Sequence, residues 1–166
     1  MRGEWKQVWK KARIFKGLDE GYVDLFSDDS MIWPFEEGEV IIQQGTYTDH
    51  IYIVEVGSVA VVKEDDPGHQ TELVVLGSGE VFGEMSLVLD STTTASIIGK
   101  DAGSCLMIHK LTFEKVLRNN ERIAAVLWKN ISRILAERLK VTSQKAEDLD
   151  EELQKVRVQG AEHTLQ

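Results

Sequence analysis

A chain of 166 residues, 42% hydrophobic and 28% charged, is long enough for one domain with its own core and too apolar for a disordered polymer. Nineteen Lys and Arg against 28 Asp and Glu leave a formal charge of −9, which argues against nucleic-acid binding, because that affinity draws on neutralised phosphates. The lone cysteine, Cys105, excludes an intrachain disulfide framework or a cysteine-ligated metal site within one chain, and is expected as a small buried residue in a reducing, cytoplasmic setting.

The opening MRGEWKQVWKKARIF is basic and amphipathic, without the apolar core of a signal peptide. Trp5, Val8, Trp9 and Ala12, then Leu18, Val23, Leu25 and Phe26, recur near helical spacing, with a break around Gly17. Residues 1–30 are therefore predicted as a helical segment. From 31 to 112 the pattern changes to short runs rich in Val and Ile, at 40–42, 51–56, 58–62, 72–76, 95–98 and 105–108. Gly38, Gly45, Gly57, Pro67–Gly68, Gly77, Gly79 and Gly103 separate them. Many short strands at such spacing predict a mainly β fold, a jelly-roll barrel or sandwich, with residues 63–70 as a polar hairpin tip. The apolar runs are strand-sized, far below the roughly 18 residues that span a bilayer.

From Leu111 the helical period returns, and residues 113–158 are predicted as C-terminal helices, with 159–166 as a flexible tail. Trp128, Ser132, Leu135, Leu139, Thr142, Ala146, Leu149, Leu153 and Val156 step by four and three, a heptad-type stripe with charged flanks. Either a second copy or the chain's own barrel could cover it. So narrow a stripe favours a homodimer through this helix.

The segment with the clearest chemistry is GEVFGEMSLVLDSTTTAS at 79–96. Gly83 allows backbone to approach a ligand closely, and the start of a short helix presents N–H groups to an anion. Glu84 beside them suits a sugar hydroxyl. No Lys or Arg occurs between Lys63 and Lys100.

Gln44–Gly45, residues 51–54, 57–61, and Gly79 with Phe82, Gly83 and Glu84 stand in an order and spacing that resemble the cyclic-nucleotide-binding domain family. The likeness runs from about Trp33 to Leu149 and is greatest to its bacterial cyclic-AMP receptor (Crp/Fnr-type) branch. Residues 138–145 resemble that branch's dimerisation helix. The resemblance implies a double-stranded β-helix (jelly-roll) barrel with N-terminal helices and a long C-terminal dimerisation helix. It implies that Glu84 holds a ribose hydroxyl, with Gly83, Met85 and Ser86 lining phosphate and sugar. Thr142 and Ser143 would touch the purine, one of them across the dimer, and Arg138 would lie near Glu84. The family's cassette carries an arginine for the cyclic phosphate where this chain has Thr93, followed by Thr94.

The expected function is a regulatory sensor, not an enzyme and without a cofactor, binding cyclic AMP or a related small ligand. It would signal through its dimer helix, with no DNA or membrane partner, because the receptor branch's helix-turn-helix has no counterpart in these residues. The alternative is a domain that has lost its ligand and serves as a dimeric protein-interaction module. A cupin-type enzyme would need clustered metal ligands, whereas His50, His69, His109 and His163 are spread singly along the chain.

Overall fold

The computed structural model describes residues 2–27, 30–66 and 68–163, with side chains over 6–27, 30–65 and 68–156. The expectations for the side chains of Trp5 and His163, for Pro67 and for the last three tail residues fall outside this range. Two compact units divide the chain, Met1–Ile131 and Ser132–Gln166.

In the first unit, helix α1 (Arg2–Lys11) precedes 3-10 turns at Arg13–Phe15 and Glu20–Phe26. The predicted helical segment is thus helical for one stretch only. Gly17 breaks it at φ +87°, and the Asp19 side chain then accepts a bond from the Gly21 N–H at 3.0 Å to start the second turn. Eight strands follow: β1 (Ser30–Phe35), β2 (Val40–Ile42), β3 (His50–Val56), β4 (Val59–Asp66), β5 (His69–Leu76), β6 (Val81–Phe82), β7 (Ser96–Gly99) and β8 (Gly103–His109). They form two antiparallel sheets, ordered β1-β8-β3-β6 and β2-β7-β4-β5. Strand β1 was not placed by the sequence pattern because Pro34 interrupts it. At the edge of its sheet, paired only with β8, the missing N–H costs no ladder bond. The predicted hairpin tip is shorter than expected, since β4 runs to Asp66 and β5 restarts at His69.

Between the sheets Phe35, Ile42, Tyr52, Val54, Val59, Leu76, Phe82, Ile97 and Cys105 form one buried cluster. A second core lies among the helices. Trp9 stacks on Phe15 with centroids 3.8 Å apart, and Phe26 and Phe113 complete the group. Phe113 comes from α2 (Lys110–Asn119), which the His109 side chain caps by accepting the Leu111 N–H at 3.1 Å.

Helix α3 (Glu121–His163) buries Ile123, Leu127 and Ile131 in the first unit, each contributing about 1.5–3 kcal/mol. Buried Asn130 donates to the carbonyls of Ile14 at 2.9 Å and Lys16 at 2.8 Å, fastening the N-terminal segment. That segment also reaches the barrel, where the Arg13 N–H meets the Gly79 carbonyl at 2.9 Å. The buried stripe of α3 is therefore offset from the predicted heptad stripe. In the second unit Leu139, Leu149, Leu153 and Val156 are exposed, at 50–68%. Among the described residues no helix is long and apolar enough to cross a membrane.

Candidate ligand-binding site

Strand β6 delivers the chain to the site. Tyr52 and Phe82 are register partners on β3 and β6, and their rings stack in parallel at 4.8 Å. Gly83 follows at φ +77°, and a Cβ built there would lie 2.7 Å from the His50 carbonyl oxygen. Only glycine accommodates both the left-handed backbone and the close approach. The chain then winds into the 3-10 turn Glu84–Leu87, where the Ser86 hydroxyl donates to the Gly83 carbonyl at 2.7 Å.

Glu84 is 2% exposed, the most deeply buried acidic residue among those described. A carboxylate has room for about four acceptor bonds, so such a position suits an acceptor for donors deep in the fold. Met85 is exposed at 43%, with Val88 and Leu89 exposed beside it. Thr93 lies on the return to β7. Its N–H donates to the Thr46 carbonyl, its carbonyl accepts the Gly45 N–H, and its hydroxyl donates to the Gln43 carbonyl, all at 2.8 Å. Thr94 is exposed.

The structure thus brings Gly83, Glu84, Met85 and Ser86 into one turn and ties Thr93 to the β2–β3 loop. Arg138, Thr142 and Ser143 belong to the second unit. There the Thr142 hydroxyl donates to the Arg138 carbonyl at 2.9 Å, and Ser143 is exposed.

Sequence reasoning missed the polar frame that holds the loop. The Ser96 hydroxyl, nearly buried, accepts the Gln44 N–H at 2.9 Å and the Gln43 amide at 3.4 Å. The Gln44 side chain pairs with both backbone groups of Glu64 at 2.9 Å, as a neighbouring strand would. Two glutamines before a turn glycine were the only available sign.

His50 faces His109 edge-on at 4.9 Å. Burial, and secondarily His109, hold His50 below its ordinary pKa, against the opposing pull of Asp49. The neutral form is favoured by folding, so its stability contribution is present above the unfolded value of 6.5 and is lost as pH falls through the lower folded value. Between pH 7.5 and 5.5 the urea midpoint of the parent is expected to drop further than that of His50→Gln. Parallel profiles would show that the pair carries no linkage.

Cys105 donates to the Trp33 carbonyl at 3.7 Å, and burial, aided by Glu39 and Glu55, pushes its thiol up to about 12. It is an inert core residue.

Two four-stranded antiparallel sheets with a glycine-turned acidic cassette define a β-roll domain. The chain belongs to the cyclic nucleotide-binding domain family, whose model matches residues 32–120. A cGMP-dependent protein kinase of Drosophila melanogaster (isozyme 2, forms cD5/T2) is 33% identical over 125 residues, 74% of this chain and 13% of the kinase. The cGMP-dependent protein kinase of Plasmodium berghei is 34% identical over 118 residues, 71% of this chain and again 13% of the kinase. The chain therefore spans only a small part of the curated relatives it matches. The crystal structure of the catabolite activator protein of Thermus thermophilus superposes with a TM-score of 0.70 at 26% identity, covering 84% of this chain and 63% of that one.

Proposed function

We propose that this chain is a regulatory sensor module in which a small ligand with sugar-type hydroxyls, cyclic AMP or a related molecule, seats against the Glu84–Leu87 turn. The observation that carries the reading is Glu84. A carboxylate 2% exposed, directly after a glycine fixed at positive φ, supports the role that the family resemblance implies for Glu84. Glu84 accepts the ligand's hydroxyls, and the backbone at Gly83 and Ser86 lines the seat. The signal passes to α3, whose stripe of Leu139, Leu149, Leu153 and Val156 pairs with that of a second copy. Their heptad spacing together with their exposure supports this pairing.

The test is a calorimetric titration of ligand-stripped protein with cyclic AMP, cyclic GMP, adenosine and guanosine. At least one is expected to bind. Glu84→Ala is expected to weaken that binding by at least about tenfold, the worth of one hydrogen bond to a charged group. Sedimentation should report a dimer for parent and variant alike. No binding by any of the four up to millimolar concentration would instead support the dimeric interaction module.

A further inference from the structure

We infer that the ligand of the Glu84–Leu87 turn is uncharged, a hydroxyl-bearing molecule of the nucleoside class with no phosphate at the Thr93 position. The inference rests on the sensor reading above and names the chemistry of its ligand.

An anion needs donors or positive charge, and the donors of Thr93, Ser86, Val88 and Leu89 are committed elsewhere. Thr93 has one hydroxyl hydrogen, and it points to the Gln43 carbonyl at 2.8 Å. Its N–H is occupied by the Thr46 carbonyl at the same distance. The Ser86 hydroxyl and N–H both donate to the Gly83 carbonyl, at 2.7 and 3.2 Å. The Val88 and Leu89 N–H groups both donate to the Met85 carbonyl, at 3.0 and 2.8 Å. The cassette's own groups thus hold the turn and its return in shape.

Charge points the same way. Of the chain's 19 Lys and Arg, only Lys63 and Lys100 lie within the barrel, residues 30–109, against 13 of its 28 Asp and Glu. Lys63 stands 3.1 Å from Asp65. Lys100 pairs with Glu72, so the barrel is acidic and both of its cations stand beside carboxylates. A phosphate entering it meets a field of its own sign, to which the buried Glu84 carboxylate belongs. The same carboxylate favours neutral hydroxyl donors. Beside it the exposed Met85, Val88 and Leu89 offer apolar contact, suited to the flat face of a base rather than to an ion.

The test ranks adenosine against cyclic AMP and guanosine against cyclic GMP on the stripped parent. For at least one pair the nucleoside is expected to bind roughly 10-fold tighter or more than its cyclic phosphate, the worth of one missing charged hydrogen bond. Thr93→Arg is expected to raise cyclic-nucleotide affinity relative to nucleoside affinity by roughly 10- to 100-fold. The ranking on the parent decides the matter even if that variant folds poorly. Cyclic nucleotides that bind as tightly as their nucleosides, or tighter, overturn the inference while the sensor reading stands. No binding by any of the four to the parent overturns both.

Discussion

Gly83→Ala is expected to cost about 2–4 kcal/mol of stability and to weaken any ligand of the cassette by more than tenfold. The first part of the cost is conformational. At φ +77° an alanine pays about 1–2 kcal/mol for the left-handed region. The second part is steric, because the new methyl would lie 2.7 Å from the His50 carbonyl oxygen and 3.3 Å from a Tyr52 ring carbon. Strand β3 cannot yield easily, since it pairs with β8 on one side and β6 on the other. The turn must shift instead, and Glu84 shifts with it. Gly38→Ala separates the two parts, because Gly38 has φ +79° but nothing within 4 Å of its added methyl. Chemical denaturation should place Gly38→Ala about 1–2 kcal/mol below the parent and Gly83→Ala clearly below that. Equal losses would mean that the approach to His50 is not a constraint on the site.

Much of this architecture could be read before any coordinates, for a physical reason. In a β-roll the turns need left-handed backbone, and Gly38, Gly45, Gly57 and Gly79 announced them; all four have positive φ. The strands between them alternated or ran apolar, so 40–42 and most of β3, β7 and β8 fell where expected. What stayed hidden depends on partners distant in sequence. Pro34 conceals β1 until its edge position is known. Thr93 reads as a hydroxyl available to a ligand until its bond to Gln43, 50 residues away, is seen. On α3 a single helical period carries two faces. Ile123, Leu127 and Ile131 serve the first unit's core, while the heptad stripe read from Trp128 is exposed at every position but the partly buried Leu135. Periodicity reveals that a helix has an apolar face, but not which residues a fold of its own has already covered.

The helical core is as consequential as the barrel, and Phe15→Ala is expected to show it by costing about 3–5 kcal/mol. Phe15 is 2% exposed and lies between Trp9 on one face and Phe113 on the other, with centroids at 3.8 and 6.1 Å and small interplanar angles in both pairs. Phe26 closes the side at 5.3 Å. Removing the ring leaves a cavity bounded by α1, the second 3-10 turn and α2, none of which can collapse without losing its own contacts. For a chain of this size such a loss lowers the melting temperature by about 10 °C. The barrel cluster around Phe35, Val54 and Phe82 shares no side chain with this one, so the damage has a direction. It frees the segment held by the Asn130 bonds to Ile14 and Lys16 and by the Arg13 contact to Gly79. Hydrogen exchange should therefore accelerate at the Arg13 amide before it does at the Val54 amide of β3, which donates to Glu80. Uniform acceleration across both would mean that the two cores open as one cooperative body, and that a disturbance at the Gly79 turn reaches the first turns of α3 without a separate step.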